Sequence, residues 1–257
     1  NHPWAATYFD DQVSPAEGTS SEEFYQIYHK FGYDQAVSRA SDSLSYVYRL
    51  DEKYWLMMLD SCICEPVHET GGKLSEETVA WMKMQLEEAK KQGVTVIPVS
   101  HHNLLDESTL YPEECTIENT KEVTALLETY GVPVYLSGHL HLQRIKKHTS
   151  NLNTPGGYGI REIVTSPLPM APCQYSILNW QADGSLSYHT KKVDIAGWAQ
   201  RYGEEDENLL NFDAYADQFL VDVISEQAFK ALQSASKDIK EEMARLYADM
   251  NRDYCSG

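Results

Sequence analysis

Two pairs of histidines occupy positions from which imidazoles can do chemistry. His101-His102 follows the apolar run at residues 94–99, and His139-x-His141 follows the run at 132–136. Imidazole is the commonest transition-metal ligand among side chains, and two loops leaving one sheet edge can converge on a single ion. Asn103 closes the first cluster, Ser100-His101-His102-Asn103, and Gly138 opens the second, Gly138-His139-Leu140-His141. Asn1-His2 adds another amide beside an imidazole. Either loop cluster alone reads more readily as a hydrogen-bonded turn; the three together point to a metal centre.

The elements that must position these residues follow from periodicity. Phe24, Ile27, Tyr28 and Phe31 have helical spacing, and Ser20 with Glu23 forms a capping box, so a helix is predicted over residues 21–31. Alternation at 44–50 and a continuous apolar run at 54–59 predict adjacent strands, the second fully buried. A helix over 75–92, capped by Ser75 and ended by Gly93, precedes a strand at 94–100. A helix over 117–130, stopped at Gly131, precedes a strand at 132–136, so the plan repeats and implies an α/β layered core. Both histidine clusters then lie at strand C-terminal edges, where α/β folds hold ligands. Beyond Gln143, runs at 160–165, 175–180 and 186–193 predict a second sheet, and helical patterns at 212–224 and 225–254 predict a helical tail.

Composition narrows the function classes. The 257 residues carry 21 Lys+Arg against 39 Asp+Glu, a net charge of −18, which excludes a protein that grips a nucleic-acid duplex through clustered cations. No apolar run approaches the ~20 residues of a membrane helix. Five cysteines with no C-x-x-C spacing indicate neither a zinc knuckle nor a complete disulfide framework, which leaves the redox compartment and the localisation open.

The ordered set Asn1-His2, His101-His102-Asn103 and Gly138-His139-Leu140-His141 resembles the last three metal-site motifs of the calcineurin-like metallophosphoesterase superfamily. Residues 23–32, 44–46 and 59–61 and the helical tail are similar to its branch of bacterial cyclic-nucleotide phosphodiesterases. The resemblance implies an α/β (α+β) fold, the C-terminal portion of a layered βαββα sandwich, with a core over 1–202 and a helical appendage over 203–257. It implies a metal-dependent hydrolase of phosphodiesters or phosphomonoesters, cyclic nucleotides favoured, in which two divalent transition metals (Mn2+, Fe2+/3+ or Zn2+) generate a bridging hydroxide. By the same resemblance Asn1, His101 and His139 ligate the second metal and His141 the first, His2 faces the scissile phosphate as the acid, His102 and Asn103 support the ligands, and Gly138 lets the backbone turn.

The sequence also departs from that pattern. The first two motifs lie outside the chain, which opens inside the third, and Pro3 stands where an acid usually follows the histidine. A catalytically inactive binding or structural fragment is therefore the alternative reading. The implied partner is a small phosphoester, and the surface that receives the C-terminal helices is unassigned. Asp60-Ser61, after a buried strand, is predicted to serve a turn in preference to supporting metal ligands, and His29, His68, His148 and His189 to be ordinary surface or hydrogen-bonded residues. Cys62-x-Cys64 is read as a poor metal pair. The Gly156-Gly157-Tyr158-Gly159 run is read as a loop.

Overall fold

The computed structural model describes residues 6–9, 12–15, 18–64, 69–107, 114–148, 159–181, 183–232 and 236–256. The expectations placed on Asn1, His2, His68 and Gly156 to Tyr158 lie outside these. The chain divides into two compact units: residues 1–140 with 145–164, and residues 141–144 with 165–257.

In the first unit, β1 (Ala6–Phe9) and β2 (Gln12–Pro15) pair as an antiparallel hairpin. Helix α1 (Ser21–Tyr28) follows, its first turn closed by the Ser20/Glu23 capping box. Next come β3 (Ala36–Arg39), β4 (Tyr46–Arg49), β5 (Tyr54–Met58), the short β6 (Cys62–Ile63) and β7 (Glu69–Gly72). Helix α2 (Glu76–Gln92) is capped by the Ser75 side chain and ended by Gly93 at φ 69°, a left-handed position that glycine takes without strain. Strand β8 (Thr95–Val99), helix α3 (Thr120–Thr129), strand β9 (Val134–Ser137), β10 (Arg144–Lys147) and β11 (Arg161–Val164) complete the main sheet, in the order β10-β11-β9-β8-β5-β4-β3. Pairing is parallel from β5 through β8 and β9 to β11, and antiparallel between β3, β4 and β5. The fold is thus mixed α/β around a mostly parallel sheet.

The core is one apolar cluster built from the sheet (Val47, Trp55, Met57, Val96, Tyr135), α2 (Trp81, Met82, Leu86) and α3 (Val123, Leu127). Strand β5 alternates rather than lying fully buried: Trp55 and Met57 are inside, while Tyr54, Leu56 and Met58 are half-exposed. The run of five apolar residues therefore covers one core face, not two. The segment at 160–165 also differs from expectation. As β11 it pairs in parallel with β9 and extends the main sheet, leaving β12 (Gln174–Trp180) and β13 (Leu186–Lys192) as a separate antiparallel ribbon.

The ribbon belongs to the second unit, followed by α4 (Ile195–Tyr202), α5 (Glu207–Leu210), α6 (Phe212–Ala231) and α7 (Lys237–Ser256). The predicted break near Ile224 falls inside α6, because Ser225 sits mid-helix without ending it. Helices α6 and α7 are linked by the ion pairs Arg245–Asp222 (3.7 Å) and Arg252–Asp217 (3.6 Å), and α7 buries Ala244 and Ala248. No described helix is long and apolar enough to cross a membrane.

Leu127 is fully buried in the α3 face of the core. Leu127→Ala is expected to cost about 2–5 kcal/mol through lost burial and the cavity left behind, read as the shift of a urea unfolding curve. An unchanged midpoint would mean that α3 does not close this core.

Candidate metal centre

Adjacent parallel strands β8 and β9 end side by side, so their following loops leave the same sheet edge. Ser100 N donates to Leu136 O (3.0 Å) and Gly138 N to His101 O (3.0 Å), which fixes one loop against the other. These loops bring together His101, His102 and His139, whose potential ligand atoms all lie within 4.8 Å of one another. His101 Nε2 and His139 Nδ1 face each other at 3.1 Å. Two imidazole nitrogens at that separation subtend about 95° at an ion roughly 2.1 Å from each, close to what four- to six-coordinate transition metals accept. The donor set therefore fits one divalent cation.

His102 has a different role in this geometry. Its Nε2–H donates to Thr70 O (2.9 Å), so Nδ1 is the acceptor and receives the Ser61 hydroxyl (2.8 Å). The same Ser61 Oγ accepts the His102 backbone N–H (3.3 Å). Both ring nitrogens are thus engaged within the protein, and burial holds this imidazole below its ordinary pKa, in the neutral form. A Cβ on Gly72 would overlap the His102 ring, so the glycine is required by close approach. Ser61 is consequently a support of the histidine cluster and not only a turn residue. Asp60 does serve the turn, its carboxylate accepting from Leu44 N and Cys62 N (3.2 Å each).

Asn103 ties the two loops. Its fully buried amide donates to Ser137 Oγ (2.9 Å) and to Gly138 O (3.1 Å). Ser137 in turn donates to Glu162 Oε1 (2.6 Å), which also accepts Leu104 N (2.7 Å), while Oε2 accepts Leu105 N (2.5 Å). Glu162 is fully buried on β11, and burial pushes its carboxyl above the usual range against the hydrogen bonds from Ser137, Leu104, Leu105 and Glu107. A third strut is a hydroxyl chain: Tyr135 donates to Ser100 (2.7 Å), and Ser100 to His102 O (2.5 Å).

The turn after β9 is not made by Gly138. Positive φ falls instead on His139 (63°) and His141 (56°). Left-handed backbone at a non-glycine residue costs on the order of 1–3 kcal/mol and concentrates where a site over-determines it. His141 is assigned to the second unit, and Asn1 and His2 lie outside the described residues. Of the remaining histidines, His29 pairs with Asp34 (3.0 Å) and His148 with Glu128 (2.8 Å). Cys62, Cys115 and Cys173 are free thiols, and no other group of metal-ligating side chains comes together among the described residues.

Residues 194–257 match the family described as the C-terminal domain of cyclic nucleotide phosphodiesterase. Among solved structures, a dimetal phosphatase from Danio rerio is similar at 13% identity with a TM-score of 0.42. That match covers 55% of this chain and 56% of the other, so the chain spans little more than half the length of the neighbour it matches. No curated protein matches the chain.

Two predictions follow from the supports. Gly72→Ala displaces His102 and is expected to weaken divalent-metal binding by roughly 10–100-fold, as loss of a supporting residue does, measured by calorimetric titration. Wild-type affinity would show that His102 does not hold the cluster. For Glu162, a folded-state pKa raised above 4.5 means that the native protein keeps a proton the unfolded chain has lost. Its contribution to stability is full below that value and is lost as pH rises through the raised one. Glu162→Gln is expected to flatten this fall in denaturant midpoint between acid and neutral pH. By turning an amide N–H toward backbone donors, it also lowers stability by about 1–3 kcal/mol.

Proposed function

We propose that the chain is a metal-dependent phosphoesterase that hydrolyses phosphodiester or phosphomonoester bonds, with cyclic nucleotides as the favoured substrate. The observation carrying this reading is the facing pair His101 Nε2 and His139 Nδ1, 3.1 Å apart at the C-terminal edge of two parallel strands. The family match over residues 194–257 supports it from a separate part of the chain.

In this reading His101 and His139 hold a divalent cation, and Asn1 and His141 are proposed to complete a two-metal set. When bound, such ions supply positive charge for phosphoryl oxygens and acidify water for attack on phosphorus. The protein's own contribution is preorganisation. Asn103, Gly138 and Glu162 keep the two loops in register, so the imidazoles need no rearrangement to receive an ion. Neutral His102 fills the space behind them without competing for the metal. His2 is proposed to donate the proton that the leaving alkoxide requires. Net charge is no obstacle, since resident cations set the local field at such a site.

Calorimetry with Mn2+ and Zn2+, paired with hydrolysis of bis(4-nitrophenyl) phosphate and of a cyclic nucleotide, tests the proposal. His101→Ala and His139→Ala are each expected to lower metal affinity by on the order of 100-fold and to abolish turnover while the circular-dichroism melt is kept. Metal binding that depends on both histidines without hydrolysis of any phosphoester would favour the inactive binding fragment. Metal binding indifferent to both substitutions would overturn the site itself.

A further inference from the structure

Helix α1 is amphipathic and firmly capped, yet none of its residues is buried. An apolar stripe on a helix of a folded protein ordinarily faces a core. Here Phe24, Tyr28 and Phe31 are 42%, 45% and 78% exposed and line a cleft of about 580 Å3. That volume lies within the roughly 300–1,000 Å3 range of small-molecule sites. Two groups of rings line the cleft. Phe24 lies 4.6 Å from Tyr28, which lies 6.4 Å from Phe31, and Tyr33 lies 4.6 Å from Tyr46. The cleft also reaches His101, one of the two facing imidazoles.

We propose that this cleft is the subsite for a flat heteroaromatic ring carried by the ester, a nucleobase, placed so that the phosphate reaches His101. The proposal rests on the phosphoesterase reading and adds to it the residues that choose the substrate. Aromatic side chains accept any base by its π-face, which suits a lining that sets five rings beside Asp60, Ser100 and His101. Burial raises the Tyr33 phenol to about 12 and moves Tyr46 in the same direction, so both remain uncharged donors beside an incoming ring. The net charge of −18 disfavours a polynucleotide and leaves a single nucleotide as the fitting ligand.

The test uses adenosine and ribose, which differ in the base, titrated calorimetrically into the metal-free chain. Adenosine is expected to bind and ribose not to. Phe31→Ala, at an exposed position where folding is not at stake, and Phe24→Ala are each expected to weaken adenosine by roughly 10-fold. Ile27→Ala, on the same helix but outside the cleft lining, is expected to change nothing. Equal binding of adenosine and ribose, or adenosine affinity unmoved by either phenylalanine substitution, overturns the proposal even if the metal-loaded protein hydrolyses phosphoesters. Ring-dependent adenosine binding upholds the cleft even if hydrolysis is absent. A sedimentation change in Phe31→Ala with adenosine binding unaltered would make the stripe an interface between copies of the chain, and would likewise overturn it.

Discussion

A buried carboxyl group holds the histidine edge together. Taking Glu162 out of water costs several kcal/mol unless donors compensate. The donors that do so are the Leu104 and Leu105 backbone N–H groups, just past the His101-His102 loop, and the Ser137 hydroxyl, just before Gly138-His139. The penalty is offset only when both loops are in place. Strand β11, which adds nothing to the histidine cluster itself, thereby couples two loops more than thirty residues apart in sequence. Extending the sheet by parallel pairing with β9 is what brings it within reach.

The second constraint is steric. His102 is an interior residue whose ring is saturated by Ser61 and Thr70 and whose space is left open by Gly72. A histidine used this way is a polar packing element. It fixes the backbone from which His101 projects, and its neutral state keeps a second positive charge away from any ion held next to it. Tyr135, Ser100 and the His102 carbonyl add a hydroxyl chain from the core to the same loop.

Much of this order is legible in the sequence, and the illegible part has physical causes. The caps at Ser20 and Ser75, the stop at Gly93 and the polar clusters after β8 and β9 are local signals, and each stands where the sequence places it. Glu162 could not be found that way, because in Arg-Glu-Ile-Val its alternation with Ile163 reads as an ordinary solvated position; only the sheet order reveals that both faces of β11 are covered. Gly72 carried a usable signal, a Gly-Gly pair before a helix, but what it accommodates lies thirty residues on. The full burial expected of residues 54–59 failed because composition reports how apolar a strand is and not how many layers cover it. Helix α4 is not among the predicted elements although Asp194 and Gly203 cap it and Ile195, Trp198, Ala199 and Tyr202 have helical spacing, since eight residues give that pattern only two turns. The break expected near Ile224 failed because Ser225 is carried inside α6 with its hydroxyl buried and unpartnered, so it neither caps nor ends the helix.

The left-handed backbone at His139 and His141 restricts what can replace them independently of any metal. Glycine, asparagine and aspartate share histidine's tolerance for that conformation, whereas β-branched and bulky residues do not. A chain that keeps this backbone is therefore confined to a small set of residues at these two positions.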